Sequence, residues 1–192
     1  MKANAVVFIV LIAVMSLTAA GYLVLRDHYV SQQLPVMAQV ADFSLSDQNG
    51  APFDSATLKG KIWIGNFFFS SCEGVCPTVN GAIARFGEKI KEQADVQFVS
   101  ISVDPARDSV PVLSEYAKKF KADAARWHFL TGPMENVNSV LTSLKLGFAD
   151  DPMQHTSRLV LVDRSGQVRG YYQGTDDQAF EFLERDLQTL VR

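Results

Sequence analysis

The chain has 192 residues, of which 47% are hydrophobic and 20% charged, and a formal net charge of -3. That length holds one well-buried domain of about 150 residues and little beside it. With no basic excess, nothing in the charge points to nucleic acid, and Lys118, Lys119 and Lys121 read as the solvated face of an amphipathic helix.

The first element in chain order is the uncharged run from Ala5 to Leu25, interrupted only by Ser16, Thr18 and Tyr22. As a helix it is long enough to cross a bilayer. Lys2 and the free amino group precede it, while Arg26, Asp27 and His28 follow, so the short end is expected inside and the bulk of the chain across the membrane. A cleavable signal is the alternative, because Thr18 and Ala20 are small residues ahead of a cut, but the apolar core is long for one. Without an Arg-rich, Ser-rich transit segment, the expected setting is a bacterial inner membrane, crossed once, with the soluble domain in the periplasm. Residues 1–26 are then the anchor, residues 27–40 a spacer containing Gln32, Gln33 and Pro35, and residues 41–192 the folded domain.

In that domain Phe43-Ser44-Leu45-Ser46 alternates as a strand, Asp47-Gln48-Asn49-Gly50 is a turn, and Pro52-Phe53 returns as the second arm of a hairpin. Leu58-Lys59-Gly60 closes a short helical or turn segment, and Lys61 to Phe69 has the apolar density of a central strand covered on both faces. Directly after it come the chain's only two cysteines, Cys72 and Cys76, followed by Pro77, which suits a helix start. That helix has an apolar face of Ile83, Phe86 and Ile90. Gln97 to Val103 reads as a strand, Val110 to Phe120 as a helix, Trp127 to Leu130 as a strand and Pro133 to Leu144 as a helix. After the irregular stretch Gly147 to Thr156, Arg158 to Val162 and Val168 to Tyr172 form a hairpin about Asp163-Arg164-Ser165-Gly166. Asp176 to Leu190 is a last helix with Phe180, Leu183, Leu187 and Leu190 on its inner stripe. A dithiol between a central strand and a helix, in this order of elements, argues for an α/β, thioredoxin-like fold with an N-terminal β-hairpin extension, behind one N-terminal transmembrane helix.

A disulfide across three intervening residues would restrict little chain entropy, so the cysteine pair reads as functional rather than structural, with an inert buried pair as the competing reading. At a strand-to-helix turn the amides favour thiolate, which serves two chemistries. A thiolate attacks a disulfide, and two thiolates hold a soft ion such as Cu(I). The spacing does not choose between them. His155, in the polar turn before the strand Leu159 to Val162, is the candidate third ligand, because neutral imidazole completes a two-sulfur site; a plain surface histidine is the alternative.

Four segments carry a resemblance: the motif Cys72 to Pro77, Ser102-Val103-Asp104-Pro105-Ala106-Arg107-Asp108, Trp127-His128-Phe129-Leu130-Thr131-Gly132, and His155 ahead of the terminal hairpin. Together, and over nearly the whole domain, they resemble the SCO/SenC family of copper chaperones used in cytochrome c oxidase assembly. The resemblance implies that Cys72, Cys76 and His155 are the copper ligands, with Cu(I) preferred and Cu(II) also accepted. It further implies delivery to the CuA centre of oxidase subunit II, with a periplasmic copper donor and a thiol reductant as further partners. Glu73 stands where many relatives have proline, which bears on loop stiffness and leaves all three ligand types in place.

The alternative is a membrane-anchored thiol:disulfide oxidoreductase, with Cys72 as attacking thiolate and Cys76 as resolving partner. Against an ordinary thioredoxin, the motif is CxxxC and the residue before the returning strand is Thr156 rather than proline. A peroxiredoxin would need a peroxide-polarising Thr or Ser and Arg at the cysteine, and Thr78 and Arg158 are not assignable to those roles. His28, His128, Met134 and Met153 read as ordinary surface or packing residues, and Asp104 and Asp108 as turn or helix caps, Asp104 being also a candidate to support the ligands. Gly60, Gly65 and Gly74 make no nucleotide loop, and no acidic pair marks a hydrolase.

Overall fold

The computed structural model describes residues 11–12, 14–22, 34–146 and 157–191. The chain divides into two units, Met1–Leu34 and Pro35–Arg192. In the first, residues 11–12 and 14–22 are helical; residues 14–22 are labelled α1. There the Ser16 and Thr18 hydroxyls donate to carbonyls one turn back, Ile12 O at 2.6 Å and Val14 O at 3.0 Å, so neither interrupts the helix. Among the described residues no helix is long and apolar enough to cross a membrane. The rest of the Ala5 to Leu25 run lies outside them.

The second unit is built on β4, Ile62–Phe68, every residue of which is buried. Apolar side chains on both faces require cover on both, and the strand lies in the interior of a six-stranded sheet ordered β1-β8-β7-β4-β5-β6. β5 (Val96–Ser102) pairs parallel to β4, and β6 (Trp127–Leu130) pairs parallel to β5. β7 (Arg158–Val162) runs antiparallel to β4, and β8 (Gln167–Gln173) antiparallel to β7. β1 (Ala38–Gln39) closes the far edge against β8, with Met37 N donating to Val168 O at 2.8 Å and Val40 N to Gly166 O at 3.0 Å. Part of the stretch expected to be a spacer is therefore sheet. Its short apolar sequence supplies the backbone partners that the open edge of β8 lacks.

Side chains alternate across β4 and so sort the helices. Ile62, Ile64, Asn66 and Phe68 face α2 (Val75–Lys89), α3 (Val110–Lys119) and α5 (Asp177–Val191). Trp63 and Phe67 belong to the opposite core with Val137, Val140 and Leu141 of α4 (Met134–Ser143). In α5 the buried stripe is Ala179, Leu183 and Leu187; Phe180 and Leu190 are only half-buried, Phe180 lying 5.6 Å from the Phe86 ring at the α2 surface. Arg126 ties off the end of α2 by donating to the carbonyls of Ile90, Lys91 and Gln93.

The expected hairpin is present as β2 (Ser44–Ser46) and β3 (Pro52–Asp54). Asp47 Oδ1 accepts from Asn49 N and Ala51 N, both at 2.8 Å, and Gly50 takes φ 82°. The hairpin also shields the open edge of β6. Ser46 exchanges two backbone hydrogen bonds with Thr131, and the buried Gln48 side chain imitates a strand, donating to Trp127 O at 3.0 Å and accepting from Phe129 N at 2.9 Å. His128 sits between these contacts on β6, its ring 4.7 Å from Phe53 and its Nε2 3.3 Å from Gln97 Oε1. It is a packing residue, as its place in the strand pattern suggests.

Two outcomes test this edge. Gln48→Ala leaves two backbone groups of β6 unpartnered and is expected to lower the unfolding free energy by about 2–4 kcal/mol, read by urea denaturation. Burial lowers the His128 pKa below its ordinary value, with Lys61 acting in the same direction and Asp47 and Asp123 against it. The unfolded chain therefore takes up the proton first. The stability this residue contributes is complete above the ordinary histidine range and is lost as pH falls from there toward the depressed folded value. His128→Gln is expected to flatten that part of the stability–pH curve.

Candidate functional site

β4 delivers the chain to the cysteines at the C-terminal end of the parallel strands. Ser70 N donates to both Asp108 carboxylate oxygens, at 3.3 and 3.1 Å, and Ser70 Oγ donates to Asp108 Oδ1. Ser102 Oγ donates to Asp108 Oδ2 at 2.5 Å. The buried Asp108 thus binds the loop after β4 to the loop after β5, two residues ahead of Cys72. Its role is to hold the dithiol loop, rather than to start a helix. Asp104 pairs with Arg107 at 2.8 Å, and its carbonyl accepts from Arg107 N and Asp108 N within the same turn.

The helix begins at Val75, earlier than Pro77, because proline in the first turn lacks only an amide that has no intrahelical partner there. The N-cap residue is Gly74, which has no side chain to cap with. Cys72 does that work: its Sγ accepts from Cys76 N at 3.4 Å. Burial, the largest influence, raises the Cys72 pKa. Hydrogen bonds from the Cys76 side chain and from the amides of Cys76, Gly74 and Val75 outweigh it together, and the net pKa lies below the ordinary thiol value. Cys72 is 7% exposed and Cys76 1%, and the two are not joined in a disulfide. The arrangement presents one activated sulfur at the rim and a second beneath it. Two sulfurs at a helix N-terminus are a donor set for a soft cation or a redox couple.

His155, Met153 and His28 lie outside the described residues. Among the described residues no three His, Cys, Asp or Glu side chains gather into a metal site. The described chain resumes at Ser157. Gly174 N donates to Ser157 O at 2.6 Å, and a Cβ placed on Gly174 would stand 2.9 Å from Val79 Cγ1 and 3.0 Å from that same oxygen. Glycine is required here because the backbone leaving β8 is pressed between Val79 of α2, one turn beyond Cys76, and the chain entering β7. Met134, at the start of α4, is 42% exposed.

Beneath the dithiol runs a buried polar chain through Trp127, Ser100, Asn66, Asn80 and Tyr116 that reading the sequence passed over. Its one visible sign is Asn66, a polar residue in the otherwise apolar run Ile62 to Phe69.

A family model described as SCO1/SenC matches residues 31–192. The crystal structure of a SCO1/SenC family lipoprotein from Bacillus anthracis str. Ames is 32% identical, with a TM-score of 0.74, over 82% of this chain and 98% of that one. A structure of BsSco, described as a member of the Sco family of cytochrome c oxidase assembly proteins and as having a disulfide switch, is 25% identical with a TM-score of 0.71, over 82% and 97%. Bradyrhizobium japonicum ScoI with copper bound is 28% identical with a TM-score of 0.63, over 77% and 99%.

The Asp108 clamp has a direct test. Asp108→Asn keeps the shape but sets an amide group against donors, and is expected to cost about 2–3 kcal/mol of unfolding free energy and to speed alkylation of Cys72 by loosening its loop. Wild-type values of both quantities would refute the clamp.

Proposed function

The chain belongs to the SCO1/SenC family, and from that premise we propose that it is a copper-binding metallochaperone that supplies the CuA centre of cytochrome c oxidase subunit II through Cys72, Cys76 and His155. The observation that carries the reading is the pair of thiols, not joined in a disulfide, at the start of α2, one lowered in pKa by three amides and its partner. Copper bound by ScoI and oxidase assembly by BsSco support the cargo and the destination. The position of Ser157 supports the third ligand: His155 is two residues earlier, within about 7 Å of chain reach, and Gly174 is crowded both by Ser157 O and by Cγ1 of Val79, which lies on the turn of α2 after Cys76.

Each thiol must lose its proton to bind metal, so loading releases protons, and the amides that stabilise the Cys72 thiolate lower that cost. Cu(I) is the favoured state because both sulfurs are soft; Cu(II) would draw on a further nitrogen or oxygen donor. Cys72 at the rim is the sulfur an acceptor site reaches first, and exchange of ligands there would release the ion. The Ala5 to Leu25 run holds the domain at the periplasmic face of a bacterial inner membrane in this reading, and a family relative that is a lipoprotein supports attachment to a membrane.

A second reading shares the site. The depressed pKa of Cys72 and the deeper burial of Cys76 match an attacking and a resolving thiol, and the disulfide switch of BsSco supports it. Cys72 would attack a substrate disulfide, Cys76 would displace the substrate thiol, and the chain would finish as the disulfide.

Anaerobic Cu(I) titration of the reduced protein against a competing chelator separates the readings. Tight one-to-one binding is expected, abolished by Cys72→Ser or Cys76→Ser. His155→Ala is expected to weaken it by more than the roughly 10–100-fold lost with a supporting hydrogen bond at metal sites, while leaving dithiol oxidation intact. Wild-type affinity in His155→Ala would remove that ligand from the proposal.

A further inference from the structure

We propose that the cavity at the start of β4, at the opposite end of that strand from the dithiol, is a binding site for a small organic carboxylate with a flat apolar body.

Trp63, the second residue of β4, shapes the cavity. A Cβ placed on Gly65 would stand 2.8 Å from Trp63 Cζ3 and 3.4 Å from Cε3, so the indole leans along the strand with the edge of its six-membered ring over Gly65. Only a residue without a side chain two places on permits that pose. Beyond the other edge of the ring system a cavity of about 310 Å³ opens, at the small end of the range for ligand sites, and Trp63 forms part of its wall.

The indole nitrogen lies across the ring system from Cε3 and Cζ3, so Nε1 is turned away from Gly65 and toward the cavity. Trp63 is 2% exposed, and an indole N–H can only donate. A buried one ordinarily finds an acceptor, as Trp127 Nε1 finds Ser100 Oγ at 2.8 Å. Trp63 Nε1 has no hydrogen-bond partner among the described residues. Nor is it sealed in, because the one fully enclosed side-chain nitrogen or oxygen without a partner among those residues is Gln93 Oε1. The cavity wall therefore holds a donor that lacks an acceptor.

The rest of the lining says what that acceptor belongs to. Phe43 and Leu58, both buried, give apolar surface, while Lys59 and Arg164 stand at the rim. Lys59 Nζ is 3.9 Å from Asp42 Oδ1 and Arg164 Nη2 is 3.8 Å from Asp95 Oδ2, both beyond hydrogen-bond distance, and Arg164 Nη1 donates to Leu190 O. The Asp42 side chain is 87% exposed and so meets water more than the cavity. One buried donor, two loosely paired cations and aromatic walls are met together by a carboxylate on a flat apolar body; a neutral apolar molecule would leave the N–H unmatched and an organic cation would face two like charges. The walls are built in advance. Gln39 Nε2 donates to Ser165 O at 3.3 Å and Gly166 O at 3.1 Å, Gly60 N to Arg164 O at 3.0 Å, and Phe43 N to Ser55 Oγ at 3.0 Å, so the segments that meet here are tied to one another by the chain itself.

None of these residues belongs to the copper site proposed above, and the inference stands apart from it. The test uses the full chain in detergent, with phenylacetate as the probe and phenylacetamide, the same body without the charge, as its comparison. The two tryptophans give two indole N–H resonances in NMR spectra. Phenylacetate is expected to move the Trp63 resonance saturably and to leave that of Trp127, already bonded to Ser100, in place; Trp63→Phe identifies the first by removing it. Phenylacetamide is expected to bind about tenfold more weakly, as for loss of a hydrogen bond to a charged group. Lys59→Met is expected to weaken phenylacetate binding about threefold, the effect of an exposed charge, and to leave phenylacetamide unchanged. If Trp63→Phe does not fold, the wild-type titration decides alone: two unmoved indole resonances overturn the site, and equal affinity for acid and amide overturns the carboxylate. A Trp63 resonance that moves with protein concentration and not with phenylacetate gives the cavity to a second copy of the chain and overturns the proposal.

Discussion

The sulfur of Cys72 accepting the Cys76 amide at the start of α2 is the contact on which the site depends. A helix leaves its first amides without partners, and here the N-cap residue is glycine, so the nearest acceptor able to serve them is a thiol. The structural need and the chemical effect are one interaction. Capping the helix draws the thiol toward thiolate, and the activated sulfur is held in register with the second one because both belong to the same turn of chain. The clamp of Asp108 on Ser70 sets where that turn begins, and the parallel ladder of β4 and β5 sets where Asp108 can reach, with Val103 N donating to Phe68 O at 2.8 Å.

Strand direction explains why distant residues meet at this end. β4, β5 and β6 run parallel, so the loops after them emerge together and bring the cysteines, the Asp104–Asp108 turn and the Thr131–Pro133 turn to one edge. β7 runs antiparallel to β4 with Asn66 opposite Leu159, so it enters the sheet at the edge where β4 leaves. The hairpin and α4 cover the opposite core and shield the edge strand β6, leaving the dithiol face to α2, α3 and α5. Conformational order at the site is thus supplied by strands that lie mostly in the buried interior of the sheet.

Local chemistry was legible wherever it was local. The turn at Asp47 to Gly50, the doubly covered strand and the terminal hairpin all follow from patterns a few residues long, and the family follows from four short segments read together. Where the reading slipped, a distant partner decided. Ala38 and Gln39 are a strand only because β8 has an open edge, α2 starts ahead of its proline because Cys72 caps it, and Phe180 stays half-exposed because it meets Phe86 at the surface rather than the sheet. Asp108, read as a cap, is bound to Ser70 across a separation of 38 residues, which no periodicity encodes.

Asn66 was the least legible residue and carries the most specific consequence. A polar side chain in a strand buried on both faces is costly unless every donor and acceptor is matched, and matching one asparagine demanded a second on α2, a serine on β5, an indole on β6 and a phenol on α3. An apolar residue there would pack at least as well, so the network contributes little to stability that hydrophobic side chains could not supply. What it adds is order. Its donors and acceptors agree only in one sense, from the donor-only indole of Trp127 toward the phenol of Tyr116, so a core that could have been indifferent to direction is polarised toward α3. A buried chain with one permitted orientation fixes the donor and acceptor sense of each of its side chains from the edge strand β6 through β5, β4 and α2 to Tyr116 on α3, without any element having to move.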